Sequence, residues 1–295
     1  MNTEKNLKQI VKDRYAKIAK QDKTINASSC CGATTPTNKV YNIMMEDYSN
    51  LEGYNEDADL GLGCGLPTQF ARIMQGDTVI DLGSGAGNDC FVARHETGET
   101  GKVIGIDFTP IMVQKARENA EKLGYNNVEF REGDIDNMPV SSNVADVVVS
   151  NCVLNLVPNK EKVIAEIHRV LKPGGHFSIS DIVLVGNLPE ALKQDAEMYA
   201  GCVAGAIQKE DYLNYIKKAG FKNVTLQKEK TIEIPNDILK KYLSEKQLTK
   251  FKSGDTGIFS ITVYAEKEGQ KKQKPKVSLS EIQESSCCDP KSGCC

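Results

Sequence analysis

A glycine-rich turn constrains this chain more than any other feature. The apolar run Thr78-Val79-Ile80-Asp81-Leu82 enters Gly83-Ser84-Gly85-Ala86-Gly87, and a helix-like segment follows from Asn88. Glycines there let the backbone turn sharply and approach a ligand with no Cβ in between. The helix after such a turn opens with unpaired N–H groups, ready for a polar ligand. Val103-Ile104-Gly105-Ile106-Asp107 reads as a second strand ending in an acid. That spacing suits a carboxylate that accepts hydrogen bonds from a ribose. Together the two elements predict a site for an adenosine-containing cofactor.

The flanking pattern is strand–helix alternation. Strands are expected at 78–82, 103–107, 128–131, 146–150 and 176–184, with helices at 88–96, 110–123 and 160–172. Lys172-Pro173-Gly174-Gly175 reads as a helix stop. Such alternation argues an α/β fold, a parallel sheet with helices on both faces. Upstream, Leu7, Ile10, Val11, Tyr15 and Ile18 share one face of a helix over residues 4–20. Residues 38–75 read as short helices and loops. Downstream, helices are expected at 188–203, 208–219 and 236–250. Strands at 224–234 and 258–265 bring the total to seven, the last two closing the sheet as a hairpin-like edge. The division that follows is a Cys-bearing cap (1–75), a cofactor-binding core (76–185), helices with closing strands (186–265) and a polar Cys-rich tail (266–295) expected to be disordered.

Composition excludes several classes. At 295 residues and 40% hydrophobic, the chain can build one large domain or two modest ones. A net charge of −3 gives no footing for nucleic acid or an anionic membrane. The basic run Lys271-Lys272-Gln273-Lys274-Pro275-Lys276 reads as a solvated linker. No stretch reaches the ~18 apolar residues of a membrane span. Met1 to Arg14 is charged throughout and lacks a signal peptide's apolar centre, so a cytoplasmic enzyme is expected.

The turn is G-x-G-x-G preceded by Asp81, not the G-x-G-x-x-G of nicotinamide sites. It resembles the nucleotide turn of class I S-adenosylmethionine (SAM) methyltransferases, whose Rossmann-like fold is the one expected here. The resemblance implies that Asp81 lies near the amino-acid end of SAM, with Gly83, Gly85 and Gly87 in the turn. It implies that Asp107 and the adjoining Phe108 hold the ribose, and that Gly133, Asp134 and Ile135 form the adenine-edge segment. Asn151, at the end of the fourth strand, completes this set.

Ten cysteines stand at 30, 31, 64, 90, 152, 202, 287, 288, 294 and 295. In a cytosolic chain of this size structural disulfides are not the expected use. No C-x₂-C spacing supports a zinc ribbon. Vicinal pairs at both ends suit a soft, thiophilic centre or disulfide exchange. Cys90, beside Phe91 and Val92, reads as a small core residue. Cys152 follows Val147-Val148-Val149-Ser150-Asn151, at the strand end that faces the ligand crevice in parallel sheets. Core and site readings are equally open for it. Cys64 in Gly63-Cys64-Gly65 and Cys202 in Gly201-Cys202-Val203-Ala204-Gly205 are sterically open, although a tight helix contact explains Cys202 as well.

Four segments carry a narrower resemblance. Leu60-Gly61-Leu62-Gly63-Cys64-Gly65, Asp81 to Cys90, Ser150-Asn151-Cys152-Val153-Leu154-Asn155-Leu156-Val157-Pro158 and Gly201 to Ala206 are similar to arsenite methyltransferases. That resemblance implies that Cys64, Cys152 and Cys202 hold As(III) and that Cys30 or Cys31 enters a redox cycle. It also implies arsenite or its thiol conjugates as substrate, with thioredoxin or glutathione as reductant. Arsenic loses no proton in such chemistry, so no general base is needed, and ordinary roles are expected for His95, His168 and His176. Two rival readings remain: a SAM-dependent C- or N-methyltransferase of a small organic molecule, and a non-catalytic metalloid-binding protein.

Overall fold

The computed structural model describes residues 4–20, 46–186, 205–233, 236, 239–240, 243–253 and 257–270. Its elements in chain order are α1 (Glu4–Ile18), α2 (Pro67–Phe70), β1 (Thr78–Leu82), α3 (Asn88–Thr97), β2 (Lys102–Asp107), α4 (Pro110–Lys122) and β3 (Val128–Glu132). After these come β4 (Ala145–Asn151), a short 3-10 turn at Leu154–Leu156, α5 (Lys160–Val170), β5 (Leu171–Val185), α6 (Lys209–Lys218), β6 (Lys222–Thr231), α7 (Glu245–Ser253) and β7 (Gly257–Glu266). Among the described residues the seven strands form one sheet in the order β3-β2-β1-β4-β5-β7-β6. β1 to β5 run parallel, and β7 pairs antiparallel with both β5 and β6. The closing pair is thus the expected hairpin-like edge, with the last strand inserted inside and β6 outermost. β6 is largely exposed and carries Lys222, Lys228, Glu229 and Lys230, charges that blunt pairing at the open edge.

The alternation of strand side chains divides the core between two faces. Val79, Val103, Val147 and Val149 point to one side, where Phe91 and Ala93 of α3 and Met112 and Ala116 of α4 cover them. Ile80, Leu82, Ile104, Ile106 and Val148 point to the other, against Val163, Ile164 and Ile167 of α5 and Tyr212 and Ile216 of α6. Each fully buried side chain of this size contributes about 1.5–3 kcal/mol. Two covered faces explain why the strands read as near-continuous apolar runs.

Three elements differ in extent from the sequence reading: the helix expected at 236–250 is described as α7 at Glu245–Ser253, and β5 and β6 are shifted as well. α5 ends at Val170, and β5 starts at Leu171 rather than 176. The Pro-Gly-Gly run is a bulge within the strand edge: Gly174 N–H donates to Lys267 O, and Lys267 N–H donates to Gly175 O. A Cβ at Gly175 would lie 2.9 Å from Asp146 O, so glycine there lets β5 run against β4. β6 spans 222–231 rather than 224–234. The expected helix at 188–203 lies outside the described residues.

The strand order reverses between β1 and β4. In open α/β sheets that switch point opens a crevice beyond the carboxyl ends of the strands. α1 closes one side of it: Lys8 Nζ lies 2.9 Å from Asp136 and 3.4 Å from Asp134. Among the described residues, no helix is long and apolar enough to cross a membrane.

Candidate active site

The crevice at the switch point is a cleft of about 1280 Å³, counting its open mouth. Gly83, Ser84, Gly85, Asp107, Phe108, Asp134 and Ile135 are among the residues that line it. Gly83 and Gly85 have φ of 67° and 52°, the left-handed region that favours glycine. A Cβ on Gly83 would collide with the Val153 side chain, whereas Gly85 faces open space. The Asp107 carboxylate accepts from Gly85 N–H at 3.0 Å and Thr109 N–H at 2.8 Å. Burial raises its pKa, and those two N–H groups draw it back. Ser84 Oγ and Asn88 Oδ1 are buried on the cleft wall with no hydrogen-bond partner among the described residues. A ligand with several polar groups fits such a wall, and a nucleoside carrying an amino-acid tail supplies them.

Three residues expected to touch the cofactor stand back from the cleft. Gly87 (φ 102°) packs against the rings of Phe91 and Phe130, and Gly133 packs against Pro139. Both shape turns rather than line the space. Asp81 is only 2% exposed, and its carboxylate accepts the Cys90 S–H at 3.2 Å. Burial and the neighbouring Asp89 push its pKa well up, and burial together with Asp81 does the same to the Cys90 thiol. Cys90 is therefore a core residue with little thiolate character. Asp89, from the first turn of α3, lines the cleft where Asp81 does not. Nothing in the glycine motif marked it.

Two of the three expected arsenic ligands are described, and the chain brings their backbones together. Cys152 follows β4 with φ 61°, a strained value for a non-glycine residue, and donates its N–H to Ser180 O at 2.8 Å. Cys152 is among the residues that line the cleft. Cys64 is fully buried beside it: its N–H donates to Asn151 Oδ1 at 3.0 Å, and its carbonyl accepts from Ser260 Oγ. Both neighbouring glycines are required by close approach. A Cβ on Gly63 would sit 2.7 Å from Asn151 Nδ2, and one on Gly65 would sit 2.5 Å from Ser180 Oγ. The two thiols share the surroundings of Tyr212, whose pKa is pushed up by burial, by Asp181 and then by Cys64 and Cys152. Asp181 accepts from the Tyr212 hydroxyl at 3.3 Å and is itself raised to about 7 by burial.

Cys30, Cys31, Cys202 and the four tail cysteines lie outside the described residues. Among the described residues, no group of three or more His, Cys, Asp and Glu side chains has metal-site geometry. The histidines take ordinary places. His176 Nε2 sits 2.6 Å from Ala71 O, His168 packs on Phe221, and His95 pairs with Glu52 at the surface.

Sequence reading missed the clamp around Asn151. This residue lines the cleft as expected, but its amide grips the Cys64 loop: Oδ1 takes Cys64 N–H, and Nδ2 donates to Gly65 O at 2.8 Å and to the Tyr48 hydroxyl at 2.5 Å. Tyr48 and Asp89 are far from Asn151 in sequence, and no local signal joins them.

Residues 73–220 match the family model described as a methyltransferase domain. The chain is 41% identical over 240 residues to an arsenite methyltransferase of Halobacterium salinarum, across 78% of this chain and 61% of that protein. The arsenite methyltransferase of Aquipseudomonas alcaligenes is 31% identical, across 80% of this chain and 68% of the relative. Among solved structures, CrArsM, an arsenic(III) SAM methyltransferase from Chlamydomonas reinhardtii, is 33% identical with a TM-score of 0.58, across 70% of this chain and 68% of that one. The chain thus spans about three-fifths of the Halobacterium relative and just over two-thirds of the Aquipseudomonas one. A Rossmann-like sheet, a cleft at its switch point with Cys152 in the lining and these likenesses agree: the chain belongs to the arsenite methyltransferase family.

Proposed function

We propose that this chain transfers methyl groups from SAM to thiolate-bound trivalent arsenic. One observation carries the reading: Cys152 lines the cleft beside the glycine turn, and Asn151 ties the Cys64 loop to the same strand end. SAM, when bound, supplies a methyl group on a positively charged sulfur. Ser84, Asn88, Asp107 and Asp134 would hold its polar groups, with Ile135 against the adenine and Asp89 in the lining beside them. Cys64 and Cys152, with Cys202, hold the arsenic as three thiolates that leave its lone pair directed at the cleft. Holding the reacting atoms in near-attack geometry can supply about 7–11 kcal/mol of the barrier. Thiolates bind only when deprotonated, so arsenite capture weakens in acid.

The division at 75/76, 185/186 and 265/266 then has a functional sense: cap, cofactor core, arsenic-binding segment with closing strands, and a metalloid-collecting tail. Cys30 or Cys31 enters the redox cycle, with thioredoxin or glutathione as the thiol reductant. A reducing compartment, the cytoplasm, suits so many thiols. The test is product speciation: purified chain, SAM, arsenite and a thiol should yield methylated arsenicals. Cofactor binding with no arsenic product would turn the reading toward a methyltransferase of organic substrates.

A further inference from the structure

The Tyr48 hydroxyl has one proton and two acceptors. The Asp89 carboxylate lies 2.9–3.0 Å away, and the Gly65 carbonyl lies 3.2 Å away. Its oxygen also receives Asn151 Nδ2, so the proton itself must choose between the acceptors. The two acceptors belong to different halves of the site. Asp89 is on the wall of the cofactor cleft, and Gly65 adjoins Cys64. Tyr48 is 5% exposed and packs with Leu66 and Val92, so its ring is fixed while its proton can turn.

We propose that Tyr48 is a positioning residue that couples the two halves: when a cationic group of the cofactor engages Asp89, the Tyr48 proton turns to the Gly65 carbonyl and firms the Cys64 loop against the Cys152 strand end. A charged acceptor outcompetes a neutral one for a shared proton. A cation that neutralises Asp89 removes that advantage, and the hydroxyl then adds to the grip that Asn151 already has on Gly65. Cofactor and arsenite therefore bind more tightly together than alone, by the same factor in each direction. The inference rests on the arsenic-methylating reading.

The test uses the full chain and sinefungin, an unreactive SAM analogue that carries amines at both cationic positions. Arsenite affinity is measured by equilibrium dialysis with elemental detection, with and without saturating sinefungin. The parent should bind arsenite about tenfold more tightly with sinefungin present, within the range usual for coupled sites. Tyr48→Phe keeps the ring and loses the hydroxyl, both its proton and the oxygen that accepts from Asn151. Its coupling, the ratio of arsenite affinities with and without sinefungin, should fall below about twofold. Asp89→Asn removes the charge the cation engages and should lose the coupling likewise; it serves alone if Tyr48→Phe fails to fold. Coupling retained in either folded variant overturns the inference, as does a parent that binds both ligands independently. A parent that binds no arsenite overturns the functional reading and this inference together, which separates the two failures.

Discussion

Gly65→Ala tests how closely the Cys64 loop must approach the sheet. An ideal Cβ at residue 65 would lie 2.5 Å from Ser180 Oγ, 2.7 Å from Ser180 Cβ and 3.6 Å from Thr262 Oγ1. Carbon atoms in contact sit at about 3.5–4.0 Å, so loop and β5 must part by roughly 1 Å. Ser180 cannot swing away cheaply, because its hydroxyl shares a 2.9 Å hydrogen bond with Thr262. Overpacking of this kind costs about 1–3 kcal/mol of stability. The larger effect is on function. The displacement moves Cys64, and a misplacement of about 1 Å costs on the order of 100-fold in rate. We expect arsenite-methylation kcat/KM to fall by about that factor while sinefungin affinity holds, since Gly65 is not part of the cleft lining. Gly65→Ala/Ser180→Gly, which removes the opposing side chain, should recover most of the loss, with Ser180→Gly alone as the control. Steady-state kinetics and a melting curve on each variant decide it. A Gly65→Ala enzyme with the parental rate would refute the reasoning, and so would a folded double variant no better than Gly65→Ala.

Asp107→Ala removes the acceptor of two backbone N–H groups and the expected ribose partner. SAM affinity should drop by about 10- to 100-fold, as for a charged hydrogen-bonding group, with arsenite affinity in the absence of cofactor kept; equal loss of both would place Asp107 in folding rather than binding. Asp89 is raised by burial to about 6 from its ordinary 3.8. Its contribution to apo stability is therefore complete below about pH 4 and lost as pH rises through 6. A bound cation favours the ionised form, so sinefungin affinity should climb as pH rises through 6, with proton release seen by calorimetry in buffers of different ionisation enthalpy. Asp89→Asn should flatten that climb; an unchanged profile would assign it to another group. Cys90→Ala removes a buried S–H whose thiolate is disfavoured, and it should cost stability without lowering the methylation rate; loss of arsenite turnover at parental stability would give Cys90 a role in the site.

The fold was legible where physics is local. Short apolar runs at 78–82 and 146–150, glycines at required turns and an acid ending β2 place the sheet, the cleft and Asp107. The start of β5 was misread because Pro173-Gly174-Gly175 looks like a helix stop, while pairing with Ala145 and Lys267 makes it a bulged strand edge. Asp81 was placed at the ligand by its motif, yet strand alternation turns it into the α3 face, where Cys90 meets it. Asp89, Tyr48 and the grip of Asn151 on Gly63 to Gly65 were invisible, because they join residues about 40 to 100 positions apart by contacts that only packing creates. The glycines at 63 and 65 read in the sequence only as open space around a thiol; they serve close approach to Asn151 and Ser180 instead.

Cys152→Ser is the most direct test of the cysteine in the cleft lining. The variant should bind sinefungin as tightly as the parent and form no methylated arsenical by elemental speciation. Arsenite turnover near the parental rate would mean that this thiol holds no arsenic and that the account is wrong.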